Sequence, residues 1–304
     1  IRHIMKTVRI HEYGSAEQLK YEEVPMPAIK DDQVFVKNYA TTVNHLEIKK
    51  ASGAMKYRMP LKFPWIPGYD FAGIAEEVGK DVTTIKKGDK VYGNCDGGSY
   101  AEYLAADMGK VAKMPQRLSF NEAASVPHVA ETAWQALYKH GRLKRGQTVL
   151  IHGGAGAVGA FAIQFAKNTG ARVHTTSLQE DIEFVKSLGA DEAIDFKTED
   201  FTAVYSNVDV VLALVGGDVE KKSYGIMKKG GYLVSTVGLA YADIAKEKGI
   251  NAVAMVIEQS AKDLEEITAL INGNRVKVDV GIIYPLEEAA TGWKALTGDK
   301  SVKH

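Results

Sequence analysis

The stretch "LIHGGAGAVGA" at residues 150–160 decides the fold. Gly154, Gly156 and Gly159 have the GxGxxG spacing, in which the first glycine permits a tight turn, the second lets a pyrophosphate approach the backbone, and the third lets a helix pack on a strand. The apolar segment "TVLIHG" in front of it predicts a buried strand, and the apolar residues behind it recur at helical spacing. The stretch predicts a dinucleotide site, with a structural turn or another nucleotide-like ligand as the alternatives.

Strands and helices alternate from Gln147 onward, which predicts a parallel sheet covered on both faces. The further predicted strands are "RVHTTS", "EAIDF", "VDVVLALVG", "GYLVSTVG" and "NAVAMVIE". The predicted helices between them are "GAFAIQFAKNTG", "EDIEFVKSLG" and "KKSYGIMKKG". The glycine loop therefore belongs to an α/β domain that begins in the middle of the chain.

The sequence on either side of this domain has a different pattern. Many short β-segments with glycine turns, such as "QVFVKNYA" and "DKVYG", predict a small barrel or sandwich. Near residue 119 the pattern becomes helical, because Ser119 and Glu122 have capping-box spacing and Pro127 divides the segment that follows. The helix "SAKDLEEITALINGNR" then leads to "VDVGIIYPLEEAATGWKAL", which predicts a strand and a helix. We predict two domains, 1–118 with 260–304, and 119–259 between them.

The composition favours an ordinary globular protein. Of 304 residues, 45% are hydrophobic and 25% are charged, and 38 basic side chains balance 38 acidic ones. No basic stripe stands out, which argues against nucleic acid as a partner. Cys95 is the only cysteine, so an internal disulfide and a four-cysteine zinc site are excluded. The sequence has no long apolar run, its first residues lack the core of a signal peptide, and Met5 is a candidate for the natural start. We expect a cytoplasmic protein without a membrane partner.

The end of the second predicted strand distinguishes the two nicotinamide cofactors. An NAD site usually has Asp or Glu there to bind the ribose 2′-hydroxyl. Here the strand ends "HTTSLQED", and Thr175, Thr176 and Ser177 can donate hydrogen bonds to a 2′-phosphate. NADPH is therefore the predicted cofactor, with NAD as the alternative, provided that Glu180 and Asp181 point away. The missing acid also argues against a methyltransferase that binds S-adenosylmethionine.

Motifs along nearly the whole chain resemble those of the medium-chain dehydrogenase/reductase superfamily, on its zinc-independent quinone oxidoreductase (zeta-crystallin-like) branch. They are "VNHLEIKKASG", "PGYDFAG", "GDKVYG", "GSYAEY", "ETAWQAL", "LIHGGAGAVGAFAIQFAK", "LGADEAIDF" and "YPLEEA". The resemblance implies an α/β fold class: a GroES-like β-barrel catalytic domain, a Rossmann domain with a doubly wound parallel sheet inserted after it, and a C-terminal return to the catalytic domain. Relatives continue with a final strand where this sequence ends.

The resemblance also implies where the cofactor lies. Asn44 and Thr132 flank the nicotinamide. The predicted cofactor contacts are completed by Gly154, Ala155, Gly156, Ala157, Val158, Gly159, Thr176, Ser177, Val215 and Gly238. Tyr57, in the variable stretch "GAMKYRMPLKFPW", is the candidate for a tyrosine at the mouth of the substrate site, with a surface or packing tyrosine as the alternative. Asn44 and Tyr57 are therefore the predicted catalytic residues.

No metal ion is predicted. Zinc alcohol dehydrogenases have Cys where "VNHLE" has Asn44, and His-Glu where "PGYDF" has Tyr69 and Asp70. Zinc requires thiolate, imidazole or carboxylate ligands, for which Asn44 and Tyr69 are poor substitutes. His45 and Glu47 are a tempting pair, but they do not make three converging ligands. Three other histidines have structural interpretations at a helix surface, a helix end and a strand end; they are His128, His140 and His152.

Without a metal to stabilise an alkoxide, acceptors that are already electrophilic are favoured. We predict an NADPH-dependent reductase that transfers hydride to a small-molecule quinone or α,β-unsaturated carbonyl. The alternatives are a non-catalytic NADPH-binding protein of the crystallin kind, a zinc-type alcohol dehydrogenase, and an RNA-binding protein, against which the balanced charge argues. We also predict a homodimer through the apolar edge strand near Asn251–Ile257, because an unpaired edge invites pairing with a second copy.

Overall fold

The computed structural model describes residues 4–298. This part of the chain divides into two compact units. One, which we call the β unit, contains the chain up to His128, Gln259–Asn272 and the chain from Val278. The other, the α/β unit, contains Val129–Glu258 and Gly273–Lys277. The domain limits predicted from the sequence stay a prediction, and their last residues, 299–304, lie outside the described part.

The β unit begins with short strands, as predicted. Its strands are β1 (Ile4–Arg9), β2 (Lys20–Pro25), β3 (Gln33–Ala40), β4 (Asp70–Val78), β5 (Lys90–Asn94), β6 (Tyr103–Asp107) and β7 (Val111–Lys113). Its first helices are α1 (His45–Ala51) and α2 (Phe120–Ala124). β1 and β2 form an antiparallel ribbon, and the other five strands form an antiparallel sheet in the order β6-β3-β4-β5-β7. Alternation along β3 buries Val34 and Val36 completely, which fixes the face that covers the core.

The predicted capping box at the start of α2 is confirmed. The Glu122 N–H donates to the Ser119 hydroxyl oxygen at 3.2 Å, and the Glu122 carboxylate accepts from the Ser119 N–H at 2.8 Å. Pro127 begins a second helix, because a proline is tolerated in the first turn, where its missing N–H would have no partner.

The α/β unit has the predicted alternation. Its helices are α3 (Pro127–Trp134), which is continued by a π-helical segment (Gln135–His140), α4 (Ala157–Thr169), α5 (Ile182–Ser187), α6 (Phe201–Val204), α7 (Asp218–Ser223) and α8 (Ala242–Glu247). Its strands are β8 (Thr148–His152), β9 (Arg172–Ser177), β10 (Glu192–Asp195), β11 (Val208–Ala213), β12 (Met227–Ser235) and β13 (Asn251–Ala254). They form one parallel sheet in the order β10-β9-β8-β11-β12-β13.

The strand order reverses between β8 and β11, which lie side by side although three helices and two strands separate them in sequence. In open parallel sheets, ligands bind beyond the carboxyl ends of the strands at this reversal. The glycine loop leaves β8 at that end. The predicted doubly wound sheet is therefore confirmed, and it places the loop where a dinucleotide would bind.

Two element limits differ from the predicted ones. The segment "KKSYGIMKKG" is helical only to Ile226, and β12 begins at Met227, which pairs with Val208 of β11. The hydrogen bonds of the sheet determine the structure there rather than the helical spacing of the sequence. The edge strand β13 ends at Ala254, so "MVIE" is not part of it.

The chain ends in two helices, α9 (Ala261–Asn272) and α10 (Ala289–Gly298), with a 3-10 turn (Leu286–Glu288) before the second. The strand predicted in "VDVGIIY" is wrong, since residues 278–284 form no strand. Alternating apolar residues are compatible with a strand, but a strand also requires a hydrogen-bonded neighbour. In the described part of the chain, no helix is long and apolar enough to cross a membrane.

Candidate functional site

The glycine loop is attached to the end of β9. The N–H groups of Gly153 and Gly154 donate to the Thr176 carbonyl oxygen at 3.2 and 3.1 Å. The Gly153 N–H also lies 3.2 Å from the Thr176 hydroxyl oxygen. Gly153 has a φ of 77°, in the left-handed region that favours glycine. The tight turn therefore lies at Gly153, one residue before the first glycine of the sequence pattern.

The three glycines of the pattern differ in what a side chain would meet. A Cβ atom on Gly154 would lie 2.0 Å from the Thr175 hydroxyl oxygen, and one on Gly159 would lie 2.3 Å from the Gly153 carbonyl oxygen. A Cβ atom on Gly156 would meet only that carbonyl oxygen, at an ordinary 3.4 Å. Packing of the loop itself therefore requires Gly154 and Gly159, whereas the space at Gly156 is open.

This open space lies at the N-terminus of α4. Gly156 is the N-cap residue, and 13 helical residues follow it. The first N–H groups of a helix have no partner inside the helix, and the helix dipole adds a partial positive charge there. Of the other predicted loop contacts, Ala157 is exposed, and Ala155 and Val158 are half-buried. The arrangement fits a pyrophosphate.

Val215 and Thr132 are two further predicted cofactor residues. A Cβ atom on Gly153 would lie 3.5 Å from the Val215 side chain, so Val215 is beside the loop, and it is 41% exposed. Thr132 lies in α3 and is buried.

The hydroxyl groups at the end of β9 are used by the protein itself. Thr175 donates to the Ile151 carbonyl oxygen at 2.7 Å, and Ser177 donates to the Leu178 carbonyl oxygen at 3.0 Å. Thr176 accepts from the glycine loop, and all three side chains are buried. The prediction that these hydroxyls are available to a 2′-phosphate therefore loses support at Thr175 and Ser177.

A carboxyl group on the neighbouring strand β10 is also engaged. Asp195 pairs with Ser177 across the sheet and is buried. Its two oxygens accept from the Lys197 N–H at 3.0 Å and from the Thr198 hydroxyl at 3.2 Å. Both oxygens of Asp195 are therefore used in hydrogen bonds within the turn that follows β10.

The loop after β12 is held by a buried carboxyl group. Glu220, in α7, accepts from the N–H groups of Ala240 and Tyr241 at 2.7 and 2.9 Å. At the other side of the loop, the Ser235 hydroxyl donates to the Gly238 carbonyl oxygen at 2.7 Å. Gly238 has a φ of 94°, and a Cβ atom on it would meet nothing within 4 Å. The predicted cofactor residue Gly238 thus lies in a fixed loop with open space beside it.

Asn44, the predicted nicotinamide contact in the β unit, is the N-cap residue of α1. Its side-chain oxygen accepts from the Leu46 N–H at 3.4 Å, and its own N–H donates to the Glu47 carboxyl oxygen Oε1 at 3.0 Å. The cap uses the amide oxygen of Asn44 and leaves the amide NH₂ group as a donor. Asn44 is half-exposed, so this donor can reach a ligand.

Glu47 is completely buried and is connected to the last helix. Its Oε1 accepts a hydrogen bond from the Tyr100 hydroxyl, which in turn accepts from the indole N–H of Trp293 at 3.0 Å. Burial raises the pKa of Glu47 to about 8, and the nearby charge of Asp70 acts in the same direction. At neutral pH this carboxyl group is therefore mostly protonated.

The protonation of Glu47 predicts how stability depends on pH. The free energy of unfolding should fall as the pH rises from 4.5 to about 8, because in this range the unfolded chain has lost the Glu47 proton and the folded chain still holds it. The pKa of Glu47 rises from 4.5 to about 8 on folding, so the folded chain holds a proton there that the unfolded chain releases. His152 has the opposite effect. Burial lowers its pKa from 6.5 to about 4, so the unfolded chain binds a proton there before the folded chain does, and stability falls as the pH falls below 6.5.

Denaturant unfolding between pH 6.5 and 8 distinguishes the contribution of Glu47 to stability from that of His152, which acts mainly at lower pH. Wild type should lose stability across this interval, and Glu47→Gln should lose less, since its amide does not titrate. Equal slopes for the two proteins would show that Glu47 does not retain its proton in the folded state.

The positions that hold zinc ligands in zinc alcohol dehydrogenases have other contacts here. Asp70 accepts from the His128 N–H at 2.7 Å and from the Thr42 hydroxyl at 2.5 Å. The Lys50 ammonium lies 5.1 Å from the centre of the Tyr69 ring. A neighbouring cation opposes the binding of a metal ion.

The remaining candidate ligand is not a thiolate. Burial raises the pKa of Cys95 to about 12, which keeps its thiol protonated. Throughout residues 4–298, no three His, Cys, Asp or Glu side chains converge on a point that could hold a metal ion. The side chains that are present do not fit a catalytic zinc ion.

Tyr57, the second predicted catalytic residue, lies on the surface. Its side chain is 91% exposed, and its ring faces the Lys56 ammonium at 5.2 Å. It follows α1 in a turn, and its catalytic role stays a prediction.

The sequence analysis did not predict the roles of two buried carboxyl groups. Glu47 holds the start of α1, and Glu220 holds the loop after β12. A signal for Glu47 was present, because "NHLE" before α1 has the same capping-box spacing as "SFNE" before α2. Considering Glu47 only as a metal ligand hid that role. Glu220 had no comparable signal, since the N–H groups it binds lie 20 and 21 residues further along the chain.

Together, the β unit and the open glycine loop of the doubly wound sheet define a protein of the dehydrogenase class that binds a dinucleotide. The sequence model of the Alcohol dehydrogenase GroES-like domain matches residues 30–116, and that of the Zinc-binding dehydrogenase matches residues 188–302. A chloroplast envelope quinone oxidoreductase homolog of Arabidopsis thaliana is 31% identical, over 99% of this chain and 97% of its own length. The chain belongs to the medium-chain dehydrogenase/reductase superfamily, on its quinone oxidoreductase branch.

Two other proteins are similar to this chain. The Escherichia coli quinone oxidoreductase, solved in complex with NADPH, has a TM-score of 0.86 and 26% identity over 98% of both chains. A 2-methylene-furan-3-one reductase of Solanum lycopersicum is 41% identical over 77% of this chain. This chain spans only 62% of the length of the tomato protein.

Proposed function

We propose that this chain is an NADPH-dependent reductase that delivers hydride to a quinone or an α,β-unsaturated carbonyl without a metal ion. The observation that carries the proposal is the open space at Gly156. The glycine loop is closely packed at Gly154 and Gly159 and leaves room at the N-terminus of α4, where a pyrophosphate would bind. NADPH, when bound, supplies the hydride.

The residues around this loop would hold the cofactor. The N–H groups of Ala157, Val158 and Gly159, at the N-terminus of α4, would bind the pyrophosphate. Val215 and Gly238 would offer open surface to the rest of the cofactor.

An NAD site has a carboxylate at the end of the second strand to bind the ribose 2′-hydroxyl. Here the strand β9 itself ends in Ser177, and the Asp195 carboxyl group beside it is occupied by hydrogen bonds within its own turn. This supports NADPH over NADH, provided that Glu180 and Asp181 point away. The complex of the Escherichia coli relative with NADPH supports the same choice.

The substrate class follows from the side chains in the β unit. The amide donor of Asn44 would orient a polar group, and among the described residues no cluster of His, Cys, Asp or Glu side chains could hold a zinc ion to stabilise an alkoxide. Quinones and α,β-unsaturated carbonyls accept hydride at carbon, and water or a nearby hydroxyl can then protonate the resulting anion. The tomato relative is named for a 2-methylene-furan-3-one, which contains a carbon–carbon double bond next to a carbonyl group.

Purified protein should oxidise NADPH with at least one member of a panel of quinones, enals and enones. It should bind NADPH more tightly than NADH in a fluorescence titration, and it should oxidise simple alcohols with NADP⁺ very poorly. The panel without protein is the control. Binding of NADPH without turnover on any acceptor would contradict the catalytic proposal, and tighter binding of NADH would contradict the cofactor choice.

We propose in addition that the chain is a cytoplasmic homodimer that pairs through β13. This strand is at the edge of the six-stranded sheet, and within the described residues only β12 pairs with it. Val256, just beyond it, is 82% exposed, which adds an apolar contact for a second copy. Light scattering at micromolar concentration should give twice the mass of one chain, and a monomer would count against the proposal.

A further inference from the structure

The carboxyl group of Glu47 is at an unusual place for a capping residue. Most capping-box carboxylates are at the surface, as Glu122 is at the start of α2, whereas Glu47 has no exposed surface. Burial of an ionisable group is unfavourable unless hydrogen bonds compensate for the lost water. A surface carboxylate would cap α1 equally well, so capping alone does not account for the buried one.

Two hydrogen bonds of Glu47 meet at one oxygen, and the nearby Gly68 N–H also favours its charged form. Oε1 accepts from the Asn44 N–H and from the Tyr100 hydroxyl, and Tyr100 is held by the indole N–H of Trp293. Oε2 is buried and has no hydrogen-bond partner among the described residues. A chain of hydrogen bonds therefore connects the last helix, through Tyr100 and Glu47, to the backbone N–H of Asn44.

That N–H belongs to the residue whose side chain is the proposed donor. Its backbone is extended at a φ of −129° and a ψ of 139°, and its amide oxygen is fixed by the Leu46 N–H. With the backbone and the amide oxygen both held, the NH₂ group of Asn44 has one orientation. Fixed orientation matters because a displacement of about 1 Å in a contact to a reacting group can reduce turnover about 100-fold.

We propose that Glu47 is a positioning residue for the reaction: it sets the place of the Asn44 amide donor, and Tyr100 and Trp293 hold the Glu47 carboxyl group for that purpose. The inference rests on the proposed contact of Asn44 with the cofactor. It adds three residues of the β unit that touch neither the cofactor nor the substrate. Tyr100 and Trp293 are 53 and 193 residues from their partners in sequence, so α10 contributes to the site through this chain of hydrogen bonds.

Four variants test the inference: Glu47→Ala, Glu47→Gln, Tyr100→Phe and, as the matched control, Glu122→Ala, which removes the exposed capping carboxylate of α2. The measurements are kcat and KM with an accepted quinone or enone, the Kd for NADPH by fluorescence, and Tm. Glu47→Ala should lower kcat about 10- to 100-fold, with a change in the NADPH Kd of less than about 3-fold. Glu47→Gln keeps an oxygen acceptor and should restore most of kcat. Tyr100→Phe should give a loss between the two.

The control shows what a purely structural role would look like. Glu122→Ala should lower Tm and leave kcat unchanged. If Glu47→Ala or Tyr100→Phe likewise lowers Tm alone, Glu47 only caps α1 and the inference is overturned. Should Glu47→Ala fail to fold, Tyr100→Phe decides, because it removes one hydroxyl and keeps the buried ring; an unchanged kcat in that variant overturns the inference.

Crystal structures of wild type and Tyr100→Phe distinguish this inference from the proposed function. The Asn44 amide should move or become poorly ordered in the variant, whether or not an acceptor has been found. An Asn44 amide in an unchanged position refutes the positioning role. A wild-type protein that binds NADPH and reduces no acceptor refutes the proposed function. The position of the Asn44 amide in the two crystal structures then still tests the positioning role.

Discussion

Gly156→Val should raise the Kd for NADPH at least about 100-fold, because the new side chain would occupy the open space at the N-terminus of α4. The fold should survive the change. Gly156 is exposed, its φ of −73° is accessible to any residue, and a Cβ atom there makes only an ordinary contact with the Gly153 carbonyl oxygen. Replacing a glycine N-cap should lower stability by no more than about 1 kcal/mol. Fluorescence titration with NADPH and thermal unfolding measure the two effects.

Gly225→Val is the matched control. Gly225 is an exposed glycine of the same unit, and a Cβ atom on it would meet nothing within 4 Å. This variant should bind NADPH as wild type does. Equal affinity of Gly156→Val and wild type would mean that no pyrophosphate lies at the N-terminus of α4.

Asn44→Ala should lower kcat about 100-fold, since it removes the amide donor that we propose orients the cofactor. It also removes the N-cap of α1, which should lower stability by about 1 kcal/mol. Asn44→Ser separates the two effects, because a serine oxygen can still accept from the Leu46 N–H. Its kcat should be as low as that of Asn44→Ala, and its Tm should be close to that of wild type.

Steady-state kinetics and thermal unfolding of both variants provide the measurement. Recovery of kcat in Asn44→Ser, in step with its stability, would show that Asn44 serves only as a helix cap. The prediction concerns a donor, and serine cannot place a donor where the longer amide does.

The order of elements in the α/β unit could be predicted because its signals are local. The glycine spacing between Gly154 and Gly159, the apolar strand before it and the helical spacing behind it all lie within one short stretch. Gly159 is required by a contact with Gly153, which is only six residues away in sequence. The capping box of Ser119 and Glu122 was read from the sequence for the same reason.

The features that the sequence did not reveal depend on contacts that are remote along the chain or on competition for one group. The strand expected in residues 278–284 has apolar alternation but no neighbouring strand in the described part of the chain. The hydroxyls of Thr175 and Ser177 have the chemistry to bind a phosphate, yet each donates its hydrogen bond to a nearby carbonyl oxygen. Glu47 is conspicuous only after Tyr100 and Trp293 are seen beside it.

Transfer of deuterium from NADPH that carries deuterium at both C4 positions of the nicotinamide tests the central claim most directly. The labelled cofactor is incubated with the protein and an accepted α,β-unsaturated ketone, with and without a strong chelator, and the product is analysed by mass spectrometry. We predict one deuterium atom at the β-carbon of the saturated ketone, at the same rate in both incubations. An unlabelled product, or a transfer that stops in the presence of the chelator, would contradict metal-free hydride transfer from NADPH.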